Sequence, residues 1–128
     1  MELAQTRFVT DDVERLARFY ADLLGVSATL NEYYVEVPAG PVTLGFSRRK
    51  FTECRLDQQP CAPGSIRSSE SILDFLVADV DAEHERVAAL GVGWLMTPTT
   101  QPWRSRSMIF TDPDGNLVNA FERPSPRR

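Results

Sequence analysis

The chain repeats its own plan, and that repeat limits the folds open to it. An Asp, an apolar series at helical spacing and a Leu-Gly-Val stop occur as Asp12 … Leu24-Gly25-Val26 and again as Asp79 … Leu90-Gly91-Val92. Each copy is preceded by one β-like run and followed by further short β-like runs. An internal duplication at this length means two copies of one supersecondary unit. A helix covers one face of each unit's sheet, and the other face must be buried, paired or filled by a ligand. The expected fold class is α+β: tandem βαβββ modules whose curved mixed sheets form a concave ligand cup. The modules span about residues 3–50 and 70–122 of a single domain covering 1–128, with a connector at 51–69 and a tail at 123–128.

Residues 3–10 read as the first strand. Asp11 and Asp12 supply an N-cap and negative charge at the positive end of a helix. Val13, Leu16, Phe19, Tyr20, Leu23 and Leu24 then line one helical face, and Gly25 is placed to end it. Residues 26–30 read as a short strand and Asn31-Glu32 as a turn. In residues 33–37, Tyr33, Val35 and Val37 alternate with Tyr34 and Glu36; after the Pro38-Ala39-Gly40-Pro41 turn, Val42, Leu44 and Phe46 alternate with Thr43, Gly45 and Ser47. Residues 51–69 carry no period. In the second half, residues 71–78 read as a strand, Asp79 caps a helix running to Leu90, and Gly91 ends it. Residues 92–96 read as a strand, 97–102 as a Pro/Thr loop, 105–111 as a strand and 116–122 as the last strand. The Asp112-Pro113-Asp114-Gly115 turn joins those two final strands.

Charge and cysteine usage exclude several function classes. The formal net charge of the 128 residues is −4. An acidic domain without a basic stripe does not suit nucleic acid, and Arg48-Arg49-Lys50 reads as a solvated turn. No apolar run approaches the roughly 20 residues needed to span a bilayer, and residues 1–5 lack the marks of a targeting segment. A cytoplasmic protein is expected. Cys54 and Cys61 lack metal-knuckle spacing and read as free thiols in the connector.

Four motifs in this order resemble one family. Phe19-Tyr20-Ala21-Asp22-Leu23-Leu24-Gly25 is similar to the FYxxxLG helix end of the vicinal-oxygen-chelate superfamily of glyoxalases, bleomycin-resistance proteins and extradiol dioxygenases. Asp112-Pro113-Asp114-Gly115-Asn116-Leu117 resembles its DPDGN hairpin. Val77-Ala78-Asp79-Val80-Asp81 with Leu90-Gly91-Val92 resembles its second helix, and Pro102-Trp103 with Arg106 resembles the segment before the hairpin. The resemblance implies a homodimer and, in the metal enzymes, His, Gln or Glu ligands on the first and last strand of each half. Carried over by counting from the motifs, those positions are Gln5, Leu44, Ile72 and Asn119. Only the two amides can bind, and neutrally, so no metal and no other cofactor is expected. The alternative is a glyoxalase-type lyase or dioxygenase using a divalent metal such as zinc, nickel, manganese or iron, with Glu122 joining Gln5 and Asn119. His84 reads as a solvated helix residue.

With those four positions facing inward, the cup lining is Gln5, Arg7 and Val9; Val42, Leu44 and Phe46; Ile72, Asp74 and Leu76; and Leu117, Asn119 and Phe121. Phe8, Leu73, Phe75, Val77, Val118 and Ala120 then pack under helices. Arg7 and Asp74 either pair with each other or meet a ligand. Trp103 follows a proline and either stands at the rim or packs in a core or interface; Trp94 reads as a core or interface residue. The candidate ligand-binding residues are Gln5, Arg7, Tyr33, Phe46, Asp74, Trp103, Arg106, Asn119 and Phe121, with no catalytic residue among them. The expected partners are a small organic molecule and a second copy of the chain, with no nucleic acid and no membrane. The expected function is metal-free binding that resembles antibiotic sequestration by bleomycin-resistance proteins.

Overall fold

A computed structural model describes residues 1, 3–49 and 72–124. The connector, with Cys54 and Cys61, and the end of the tail lie outside the described residues. The chain divides into two compact units, Met1–Ser68 and Ser69–Arg128.

The first unit runs β1 (Gln5–Thr10), α1 (Val13–Leu24), β2 (Tyr34–Ala39) and β3 (Val42–Arg48), with sheet order β1-β3-β2. Asp12 caps α1 by accepting from the Arg15 amide at 3.1 Å, and Gly25 takes the left-handed conformation at φ 68° that a Cβ would strain. Gly40 and Pro41 form the two-residue loop of the β2–β3 hairpin, which brings Ala39 opposite Val42. Residues 26–30 form no strand. Instead Asn31 closes a local turn, its Oδ1 accepting from the Tyr33 and Tyr34 amides, so two strands rather than three follow α1 among the described residues.

The second unit runs β4 (Ile72–Leu76), α2 (Val80–Ala88), β5 (Gly93–Thr100), β6 (Arg106–Thr111) and β7 (Leu117–Phe121), with sheet order β4-β7-β6-β5. Asp79 caps α2 through the Ala82 amide. The helix stops at Ala88, and the left-handed Gly91 follows a short turn later. β5 continues through Thr97-Pro98-Thr99 to Thr100, where a loop was expected. Pro98 is tolerated because β5 is an edge strand with register shifts; Pro38 likewise lies in the edge strand β2. The Asp112–Gly115 turn is tied by its first residue. The buried Asp112 carboxylate accepts from the Asp114 and Asn116 amides and from Asn116 Nδ2. Among the described residues, no helix is long and apolar enough to cross a membrane.

Both sheets are mixed, as expected for the fold class: β1 runs parallel to β3 and β4 parallel to β7, while the remaining pairs are antiparallel. In the second unit the expected facing pattern holds. Ile72, Asp74 and Leu76 share a face with Leu117, Asn119 and Phe121, and Val118, Ala120, Met108 and Phe110 are buried on the other face. The first unit corrects the expected register. Phe8 is opposite Phe46 and Thr6 opposite Leu44, so Leu44 and Phe46 share the helix-packed face with Val35 and Val37. Phe46 is fully buried and stacks on Phe8 and on Tyr20 of α1, with ring centroids 5.5 and 5.4 Å apart. The apolar alternation of β2 and β3 serves α1 rather than the open side. Phe46→Ala should therefore cost about 3–5 kcal/mol of stability, read by urea unfolding; a loss below 1 kcal/mol would contradict a core position.

Candidate functional site

The open face of the second sheet, away from α2, carries the most site-like feature. Asp74, Trp103, Ser105, Ser107, Asn119 and Phe121 line a pocket of about 230 Å³. Four of these were expected from the sequence, and the two serines were not. They reach the pocket because Ser107 pairs with Phe121 across β6 and β7, which puts it on the open face. Parity with Ile109 and Asn119 gives the signal that identifies such positions.

Each polar group in the pocket is held from behind. Asn119 Nδ2 donates to Asp74 Oδ1 at 2.9 Å across the parallel β4–β7 pair. Ser105 Oγ donates to the Glu122 carbonyl at 2.8 Å, and Ser107 Oγ accepts from Gln101 Nε2 at 3.3 Å. Trp103 stands 66% exposed on a tight turn, in which Gln101 N donates to Ser105 O and Arg104 N donates to Gln101 O, both at 2.8 Å. Arg104 in that turn adopts φ 73°, a left-handed conformation that costs a non-glycine residue roughly 1–2 kcal/mol. Strain of this kind persists where surrounding structure enforces it, and it clusters at binding sites.

The open face of the first sheet is polar. Gln5 and Arg7 of β1 share it with Thr43, Gly45 and Ser47 of β3 and with Tyr34 and Glu36 of β2. Arg7 is exposed there. Tyr34 donates to Glu36 Oε2 at 2.8 Å and accepts from Gln5 Nε2 at 2.9 Å. Its hydroxyl lies over Gly45, where a Cβ would stand 3.1 Å from the hydroxyl oxygen and 3.3 Å from Gln5 Nε2. Sequence reasoning grouped Tyr34 with Tyr33 and Phe46 as aromatics on neighbouring strands but left it out of the candidate ligand-binding residues, because it followed the other alternating set. Glycine inside a strand marks such a close approach, and Gly45 was the available signal.

Several expected site residues lie elsewhere. Tyr33 precedes β2 on the side opposite Tyr34, with the Arg48 guanidinium 5.8 Å from its ring centroid. A hydrogen bond and negative charge from Glu32 raise its pKa above the ordinary phenol value. Phe46 is core. Arg106 is engaged on the α2 side, where Nε and Nη2 each reach an Asp81 carboxylate oxygen at 2.8 Å and Nη1 reaches Thr100 Oγ1. That fork-to-carboxylate pair lowers the Asp81 pKa and raises that of Arg106. His84 is half-buried rather than solvated, its ring centroid 4.8 Å from that of Trp94, and Trp94, itself half-buried, packs edge-on against Phe110.

The structure also revises the metal positions. Asn119 lies two residues beyond Leu117, the partner of Ile72; the same step beyond Thr43, the partner of Gln5, is Gly45 rather than Leu44. Glycine, like leucine, offers no side-chain donor. Glu122 is turned to α2 rather than to the face of Asn119, its Oε2 accepting from the Val80 amide at the start of that helix. Among the described residues no three His, Cys, Asp or Glu side chains converge. As the donor set that the superfamily resemblance implies, two neutral amides, a glycine and an isoleucine do not suit a divalent ion, which favours anionic or imidazole donors.

With fold and donor set in view, the family model for the Glyoxalase/Bleomycin resistance protein/Dioxygenase superfamily matches residues 2–120. The chain belongs to this superfamily. It is 28% identical over 127 residues to the uncharacterized protein YraH of Bacillus subtilis (strain 168), covering 95% of this chain and 98% of that one. Among solved structures it resembles a glyoxalase/bleomycin resistance protein/dioxygenase family enzyme from Burkholderia phytofirmans PsJN at 15% identity, with a TM-score of 0.76 over 95% of this chain and 98% of the other. It also resembles the lactoylglutathione lyase of Agrobacterium tumefaciens at 22% identity, with a TM-score of 0.71 over 94% and 92% of the two chains. At these identities the superfamily structures establish the fold, and function must be argued from the site.

The Tyr34 cluster gives a direct test of the corrected register. Tyr34→Phe removes the hydroxyl that bonds Gln5 and Glu36 and should cost about 1 kcal/mol, measured by urea unfolding. An unchanged midpoint would show that the Gln5–Tyr34–Glu36 chain carries no energetic weight.

Proposed function

We propose that the protein is a metal-free binding member of the superfamily that holds a small organic molecule without transforming it, as antibiotic-sequestering bleomycin-resistance proteins do. The carrying observation is the pocket lined by Asp74, Trp103, Ser105, Ser107, Asn119 and Phe121. An aromatic wall with a few fixed polar groups is the usual make-up of a small-molecule site. Trp103 supplies large contact area at low entropic cost. The donor set supports the metal-free part of the reading, because glycine and isoleucine stand at two of the four ligand positions.

Elemental analysis after dialysis tests this reading. Transition metal far below one equivalent is expected, together with ligand-dependent thermal shifts in a screen of small organic molecules. Near-stoichiometric zinc, nickel, manganese or iron that is lost on replacing Gln5 and Glu122 would overturn it in favour of a glyoxalase-type lyase or dioxygenase.

The proposal includes a homodimer. Ile72 and Leu76 stand 47% and 55% exposed on the open face of the second sheet, and symmetric pairing is the common way to cover such surface. Light scattering at micromolar concentration should give twice the 14.4 kDa chain mass. A lone species of 14.4 kDa would remove the dimer from the proposal.

A further inference from the structure

We infer that the pocket on the second sheet selects an organic cation: a planar ring that lies against Trp103 and carries a protonated amine or amidine toward Asp74. The inference rests on the small-molecule reading above and adds the charge and polarity of the ligand.

The charge of the pocket lining is one-sided. Asp74 is the only charged side chain in its lining among the described residues; the Arg123 guanidinium lies over the Phe121 ring, 5.7 Å from its centroid, and does not replace a ligand cation at Asp74. Its Oδ1 accepts from Asn119 Nδ2, which fixes the carboxylate plane and leaves Oδ2 as an acceptor. The same bond turns Asn119 so that its amide oxygen is a second acceptor. The Ser105 hydroxyl proton is already given to the Glu122 carbonyl, and Ser107 Oγ accepts from Gln101. What remains for a ligand is the anionic Asp74 Oδ2 and the Asn119 amide oxygen as acceptors, with neutral donors only: the Ser107 hydroxyl, the second Asn119 amide N–H and the Trp103 indole N–H. A ligand bearing an anion would meet like charge with no lining cation to offset it, and a neutral ligand that covered Asp74 would take its carboxylate out of water without a charged partner. A ligand with a positive N–H group satisfies Asp74 by a charge-assisted bond. Trp103 favours the same charge, because the face of an indole ring attracts cations. The turn from Gln101 to Ser105 holds that ring out at the expense of a left-handed Arg104, so carboxylate and indole are presented together before a ligand arrives.

The test uses three probes that share one ring: 2-naphthylmethylammonium, 2-naphthalenemethanol and 2-naphthoate. Each is titrated into the full chain by calorimetry, with the Trp103 indole N–H followed by NMR. The cation should bind at least tenfold more tightly than the alcohol and more tightly still than the carboxylate, and its advantage should shrink as salt is raised. Asp74→Asn keeps an acceptor for Asn119 at nearly the same shape. It should bring cation and alcohol to equal affinity and abolish the salt dependence. Trp103→Ala should weaken all three probes. Thermal melts of both variants should match the parent chain, since both residues are exposed. Ring binding with no charge preference, or with the carboxylate preferred, overturns the cation inference and leaves the small-molecule reading standing. If no probe shifts the Trp103 signal and a broad screen is also silent, both fall.

Discussion

The Asp112 carboxylate sets the register on which the second sheet depends. Its two oxygens gather the amides of Asp114 and Asn116 and the Asn116 side chain. That closes the β6–β7 hairpin at one fixed length. With the turn fixed, Asn119 faces Ile109 on one side and Asp74 on the other. A slip of one residue would send Asn119 and Phe121 under α2 and bring Val118 and Ala120 to the open side. The pocket, its polar pair and its aromatic wall therefore rest on an aspartate that touches none of them. Asp112 is buried, and removing its acceptors would leave several amides without partners, the expensive half of a hydrogen-bond ledger.

Much of this was legible in the sequence where local chemistry decides the structure. Asp12 and Asp79 cap helices, Gly25 adopts the left-handed conformation, and the Asp112–Gly115 turn forms as read. The facing pattern of β4 and β7 was legible because the two sets of alternating residues differ in chemistry: Asp74 and Asn119 against Phe75 and Val118. The first sheet lacked that contrast at β3, where Leu44 and Phe46 suit a ligand wall as well as a helix. Only long-range pairing with Phe8 and Tyr20 decides for the helix. Arg106 was misread for a similar reason, since its partner Asp81 lies 25 residues away. Pro98 suggested a loop because proline forbids a central strand, and sequence alone does not tell a central strand from an edge.

The two open faces divide the chemistry between them. The first carries the Glu36–Tyr34–Gln5 chain of hydrogen bonds laid over Gly45, a closed polar arrangement in which each group satisfies its neighbour. The second carries polar groups fixed from behind with acceptors left over, beside an exposed indole. A satisfied network specifies structure, whereas unspent acceptors next to an aromatic surface specify a ligand. This contrast, more than superfamily membership, separates the binding pocket from its counterpart in the duplicated half.

The prolines of the two sheets carry a consequence for crowding. Pro38 interrupts the N–H row of β2 and Pro98 that of β5, each at a free border of its sheet. A stray strand seeking to extend either sheet there meets a missing donor, the same obstacle that natural β proteins use against runaway fibre growth. β1 and β4, at the opposite borders, contain no proline. Among the described residues, strand-by-strand addition is thus blunted by proline at one border of each duplicated unit and meets no such obstacle within the strand at the other.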